Sequence, residues 1–434
     1  MTDQNTAPQA PLTDLLDDYT TVPVPFGINT TGWQVAAIIC AIGITLPAMV
    51  FGAFLSAEYG FATANLDFWI GCGMVAVLGA LTAVIGSRSR LSTYMILQFP
   101  FGQKGARLVN LLMAVILLGW FAVTIEEFGI AVAAALDNML GVSVSVWVCV
   151  LLGSIAMTAT TIFGFSAVEK FSRYSVPLLA LFLFYVAFAA SGGGEGSNAI
   201  DFAFNQTDGS LVAVLTGAIG MTVLTAVLMP DFSRYCPNDK QAIIGALVGI
   251  GITFPAVLTL VTIPATRTGE ADIMAIMAAM GVVFVALFVL IFATWSTNIT
   301  NLYSSTLTIS TFVPKLPSWQ VTVIGSVIAT VAALLGITAY FINFLILIGV
   351  AATPLAGIYV VDYFLVRKSG YQVEDLEQRP AIGIPALAAW VIGTVTGYMT
   401  EQGMFSLSGL SAVDALFTTS VAYFIIAKAM KTEG

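Results

Sequence analysis

Two short stretches of this chain hold side chains able to do chemistry in otherwise apolar surroundings. The first covers residues 117–128. At the roughly 100° per residue of an α-helix, Thr124 lies about 40° from Trp120 and Glu127 about 20° from it, so the three share one stripe, while Glu126 lies off it. An aromatic face, a hydroxyl and a carboxylate in line could hold a flat or cationic solute, although a lone Trp would as readily pack a helix. Glu127 lies about 10 Å along the axis from Trp120, which suits an access vestibule as well as a ligand contact. An ionisable group inside an apolar helix costs a few kcal/mol, so Glu127 is a functional candidate by default. Glu126 is assigned a structural role.

The second stretch is residues 293–303, where Thr294, Ser296, Thr297, Asn298, Thr300 and Asn301 interrupt an apolar run and Thr294, Thr297 and Asn301 share a face. A single Ser or Thr in such a helix usually bonds back to its own backbone, so it is the density that sets this stretch apart. Neutral oxygens are hard ligands suited to Na⁺. The chain has no His, and Cys40, Cys72, Cys149 and Cys236 show no CxxC spacing, so neither a soft-metal centre nor a disulfide framework is expected. Acid–base groups for an intramembrane enzyme are likewise missing. Asp231, three residues before Arg234, and Asp362, ahead of Arg367 and Lys368, are expected in local ion pairs.

The elements that must position these side chains follow from composition. With 58% hydrophobic and 9% charged residues in 434 and a mean hydropathy of +0.95, the chain has too little polar surface for a soluble globule and is expected to be an all-α integral membrane protein. The apolar runs are continuous and of helical length, unlike the short alternating segments of a β-barrel. They fall at about 34–57, 67–87, 108–136, 144–165, 174–191, 211–230, 241–265, 274–308, 318–336, 339–361, 381–400 and 409–430, which is twelve spans. Of the 15 Lys and Arg, only Arg267 falls on the far side of this arrangement. That bias predicts cytoplasmic N- and C-termini in an inner or plasma membrane. Residues 1–30 hold no Lys or Arg and read as a solvated arm, not a cleavable signal. The acidic balance sits in this arm and in loops, and nucleic acid is not implied.

The first span carries Gly43, Pro47 and Gly52, and the sixth carries Gly217, Gly220 and Pro230. Two interrupted spans five apart predict an inverted repeat with a binding site between the halves. The expected division is an arm (1–30), a first repeat (31–191), an external linker (192–210) that includes the glycine run, a second repeat (211–365), and two extra spans with a tail (366–434).

Five motifs then carry a resemblance: Ile42-Gly-Ile-Thr45, Gly119-Trp-Phe121, Asp231-Phe-Ser-Arg234, Trp295-Ser-Thr-Asn298 and Val361-Asp-Tyr363. In their order and spacing the chain resembles the nucleobase–cation symporter-1 transporters, in their purine/cytosine permease group. The resemblance implies the five-plus-five inverted-repeat fold shared with the leucine and hydantoin transporters, with two added C-terminal helices. It also implies Na⁺-coupled alternating access. Carried over by position, the cation would meet the carbonyls of Ala41, Ile44 and Ala293 and the hydroxyls of Ser296 and Thr297. The family's first stacking aromatic corresponds to Trp120. Its second would fall near Thr222, where Gly220, Met221 and Thr222 offer no ring. Thr45, Thr124, Glu127, Asn298 and Asn301 complete the expected solute contacts.

The expectation is therefore a symporter, not an enzyme, importing cytosine or a related nitrogen heterocycle without organic cofactor or obligate protein partner. Its rival is a symporter of a cationic or zwitterionic nitrogen metabolite with Glu127 as counter-charge or as the proton-coupling group. A channel would need a continuous polar pore or a filter repeated around an axis, and the sequence shows neither.

Overall fold

The computed structural model describes residues 22–163, 178, 180–191, 210–270, 273–281, 283–310, 312–313, 315–367 and 370–430, and every regular element among them is helical. The acidic arm up to residue 21, the start of the fifth span, the glycine-rich linker and Lys368 lie outside the described residues. The helices are α1 Gly32–Gly43, α2 Leu46–Tyr59, α3 Phe61–Ser89, α4 Thr93–Ile96, α5 Gln98–Leu140, α6 Val146–Phe163, α7 Ala180–Ser191, α8 Ser210–Val227 and α9 Met229–Ser233. They continue with α10 Asp239–Thr268, α11 Ile273–Ala279, α12 Val283–Ser310, α13 Ser318–Leu334, α14 Ile337–Val366, α15 Ile384–Glu401 and α16 Ser411–Ala429. Among them α3, α5, α10, α14 and α16 are long and apolar enough to cross a membrane.

Three segments depart from the sequence expectation. The run at 274–308 is two helices, because the chain turns at Met280–Gly281 with Gly281 at φ 69°, a left-handed conformation that only glycine adopts cheaply. The run at 108–136 begins earlier, at Gln98, and bends at Gly102 (φ 72°, ψ 164°). A Cβ at Gly102 would lie 2.3 Å from the Pro380 carbonyl oxygen, so the bend seats the segment before α15 against α5. The sixth run is continuous through Gly217 and Gly220 and breaks only at Leu228 (φ −89°, ψ 5°).

Two groups of helices emerge from the packing. One comprises α1, α2, α3, α8 and α10; the other comprises α5, α6, α12 and α13. The second group closes on a core of Phe121 and Ile125 from α5, Val150 and Met157 from α6, Leu302 from α12 and Ala329 from α13. Hydroxyls tie α6 to α13, with Ser154 bonded to Ser326 and Thr330, and Thr158 to Ser326. Small polar side chains of this kind join helices where lipid offers no hydrophobic drive for association. Pairs α15 and α16 pack on each other and, through α14, on the first group.

Candidate functional site

The site begins where the first apolar span stops being helical. Helix α1 ends at Gly43. Ile44 (φ −86°, ψ 79°) and Thr45 (φ −131°, ψ 157°) run extended, and α2 restarts with Pro47 in its first turn. Pro47 suits that place because a first-turn residue has no intrahelical use for its N–H. The Thr45 N–H donates to the Gly43 carbonyl at 3.1 Å instead of to Ala41, so the Ala41 carbonyl loses its helical partner. Thr45 is 6% exposed, and its side chain makes no cap bond. Ile44 and Ala293 of α12 belong to one buried cluster, and the helix that follows the break, α2, contacts α12. Thr297 is half-buried; nothing is described of the side chains of Ala41 and Ser296.

Trp120 projects from α5 towards the start of α14. Its ring meets Phe341 at 5.9 Å and 78°, and Phe344 at 5.5 Å and 72°, both edge-to-face. Phe341 also meets Phe51 of α2 at 6.4 Å and 89°, and Phe51 meets Phe68 of α3 at 6.0 Å. The rings thus run from one helix group to the other, and each well-formed aromatic pair adds about 0.5–1.5 kcal/mol beyond the area it buries. Thr124, one turn from Trp120, is 1% exposed, and Glu127 and Asn301 are half-buried. Glu126 does what its off-stripe position suggested: its two oxygens accept from the backbone N–H (2.9 Å) and hydroxyl (2.7 Å) of Thr338, holding the first turn of α14.

Several expected contacts are placed elsewhere. The Asn298 amide is wholly buried and donates to the Phe121 carbonyl (3.3 Å) and the Met157 sulfur (3.5 Å), so it faces α5 and α6. On α8, Thr222 is fully buried and returns its hydroxyl to the Ala218 carbonyl at 2.8 Å. Met221 is core, and a Cβ at Gly220 would lie 2.5 Å from the Leu345 carbonyl oxygen of α14. All three α8 positions are therefore packing positions in this conformation. The Asp231 carboxylate accepts from Thr93 N–H at 2.9 Å, at the start of α4, while Arg234 Nε reaches the Asp231 backbone carbonyl at 3.2 Å. Asp362 does pair with Arg367, at 2.8 Å, and also accepts from Tyr371 (2.8 Å) and Tyr423 (2.5 Å), which ties α14 to α16.

The rings that sequence reasoning missed are Phe341 and Phe344. Their signal was an aromatic pair three apart at the head of the tenth apolar run, with nothing local to say that it meets Trp120. A groove of about 390 Å³ between α6 and α13, lined by Leu151, Ile155, Val327 and Val331 among others, opens on the apolar surface and not at Trp120.

Comparison with known proteins adds the last observation. The chain is similar to the cytosine permease of Escherichia coli strain K12, 26% identical over 412 residues that cover 94% of each chain. Its fold matches a nucleobase-cation-symport-1 family transporter solved in a closed conformation with bromovinylhydantoin bound: TM-score 0.79, 18% identity, 95% of this chain and 96% of that one. A Na⁺-coupled sialic acid symporter in a substrate-bound outward-open state shares the architecture more distantly, with TM-score 0.66 at 13% identity over 96% and 95% of the two chains. The family model described as permease for cytosine/purines, uracil, thiamine and allantoin matches residues 19–426, and the chain, a transporter and not an enzyme, belongs to that family.

Proposed function

We propose that this protein is a Na⁺-coupled symporter that imports cytosine or a closely related nitrogen heterocycle by alternating access. Its twelve spans would form a five-plus-five inverted repeat with two added helices, and both termini would be cytoplasmic. The observation that carries the reading is the break at Ile44–Thr45. It deprives the Ala41 carbonyl of its helical donor, and Ile44 shares a buried cluster with Ala293 on the helix that also carries Ser296 and Thr297. Carbonyl and hydroxyl oxygens are the hard, neutral donors that suit Na⁺. Sodium bound there would order the broken helix against α12 and raise the affinity for a planar solute on Trp120. By linkage the solute then tightens Na⁺ by the same factor.

The test is thermal stability of the purified protein against nucleobases, hydantoins, amines and betaines, each in Na⁺ and in K⁺, since a ligand at 100 times its Kd stabilises by about 2.7 kcal/mol. A shift with cytosine that requires Na⁺ supports the reading. Trp120→Ala should then remove it and Glu127→Gln should weaken it less. The absence of any ring at Gly220, Met221 and Thr222 favours one alternative, a cationic or zwitterionic metabolite held by Glu127. That alternative predicts the reverse order of the two variants and shifts with amines or betaines only.

A further inference from the structure

Asp67 lies six residues into α3, about 9 Å from its first residue. It is 0% exposed, and neither carboxylate oxygen has a hydrogen-bond partner. Thr63, one turn earlier on the same face, is 1% exposed and its hydroxyl is unpartnered too. Gly71, one turn later, would place a Cβ 2.9 Å from Ala218, so this face of α3 packs on α8, which carries no titratable residue. The other elements against α3 keep their titratable groups near their ends. These are Glu58 and Tyr59 on α2, Asp231 on α9, Asp239, Lys240 and Arg267 on α10, and Tyr340, Tyr359, Asp362 and Tyr363 on α14; α3 itself adds Cys72 and Arg88. Asp67 bonds to none of them.

A bare carboxylate without a donor costs several kcal/mol in such surroundings. The ionised group therefore needs either a counter-ion or another conformation in which water reaches it. A metal cation would want about six oxygens, and this wall offers one carboxylate and one hydroxyl. A proton needs only the carboxylate. We propose that Asp67 is a proton-carrying group of the transport cycle, loaded from water on one face of the membrane and unloaded to water on the other. In loading, hydronium gives its proton to an Asp67 oxygen and becomes water; unloading is the reverse, and no electron moves.

The neighbouring residue supplies the coupling. Phe68 begins the ring series that runs through Phe51 and Phe341 to Trp120, with centroid separations of 6.0, 6.4 and 5.9 Å. A solute arriving at Trp120 displaces Phe341, and that displacement repacks the segment of α3 holding Asp67 and alters its access to water.

The experiment uses full-length protein in liposomes. Infrared difference spectra between acid and alkaline media, without solute, are taken of the wild type and of Asp67→Asn, and subtracting one from the other removes the bands of the remaining carboxyls. The subtraction should leave one protonated-carboxyl component that titrates; no residual component, or one that does not titrate, overturns the proposal. Uptake of labelled cytosine under a Na⁺ gradient is measured next, so that failure of the solute assignment is seen by itself and leaves the infrared comparison to decide. With cytosine carried, the wild-type accumulation ratio should rise about tenfold per unit of inward pH gradient for one proton per solute. Asp67→Asn should keep Na⁺-dependent uptake and lose the pH response. Equal responses in the two proteins, or none in the wild type, overturn it. Should the variant fail to fold, a dye outside wild-type liposomes must report alkalinisation on cytosine entry; its absence has the same meaning.

Discussion

The first and sixth apolar spans carry glycine and proline in similar measure, yet they are built differently. In the first, helix is lost over Ile44 and Thr45 in mid-span, and a backbone carbonyl at Ala41 is left without its helical donor. In the sixth, eighteen residues run as unbroken helix and the interruption comes at Leu228, close to the end. Gly217 and Gly220 serve contact instead: a Cβ on the former would meet the Phe51 ring at 2.5 Å, and one on the latter the Leu345 carbonyl. Gly43 is close-packed too, since a Cβ there would lie 3.2 Å from the Phe254 ring, but it alone is followed four residues later by a first-turn proline, where the helix restarts. Glycine count does not distinguish the two spans; the proline after Gly43 does.

The largest effect that would sharpen this contrast is expected from Gly220→Val. Overpacking costs about 1–3 kcal/mol and more where backbone stands in the way, so folded yield and Tm should collapse. A well-folded Gly220→Val that has lost only solute binding would put Gly220 at the ligand and break the contrast. Next, Thr297→Ala and Ser296→Ala should leave Tm in K⁺ little changed while weakening the Na⁺-induced shift by roughly 10- to 100-fold in Na⁺ concentration, the loss usual when a site's ligation is disturbed. An unaltered Na⁺ titration would mean that the first break is not the ion site. Asp231→Ala should cost about 1 kcal/mol of stability by removing the carboxylate from the start of α4, read as a lower Tm at unchanged Na⁺ response. Pro230→Ala should be nearly neutral, within about 0.5 kcal/mol. It occupies the first turn of α9, beyond the break at Leu228, where its missing N–H is not needed. A large loss there would make Pro230, and not Leu228, the cause of the second interruption.

The cues legible in the sequence are local ones. The off-stripe position of Glu126 and the interruption of the first span could be read from residues within two helical turns, and the structure bonds Glu126 to Thr338 and breaks the helix at Ile44–Thr45; the partner of Glu126, 212 residues away, could not be read there. Asn298 could not be placed from the sequence, because a polar side chain on such a helix face reads the same whether it faces a solute or a neighbouring carbonyl. The seating of α12 on α5 commits its NH2 group to the Phe121 carbonyl and leaves its oxygen buried without a partner. The turn at Gly281 was hidden for a related reason: apolar residues flank it on both sides, so hydropathy runs through it unbroken.

By itself the sequence determined that this is a membrane-embedded, all-helical chain with an interrupted first span. Apolar length, the absence of His and the spacing of Gly43 and Pro47 act within a few residues and survive without any partner helix. The tertiary structure alone decided which glycines break and which pack, that Phe341 and Phe344 close on Trp120 from more than two hundred residues away, and that Asp67 has no partner. Each of these depends on what a distant helix places within a few ångströms, and no local pattern encodes that distance.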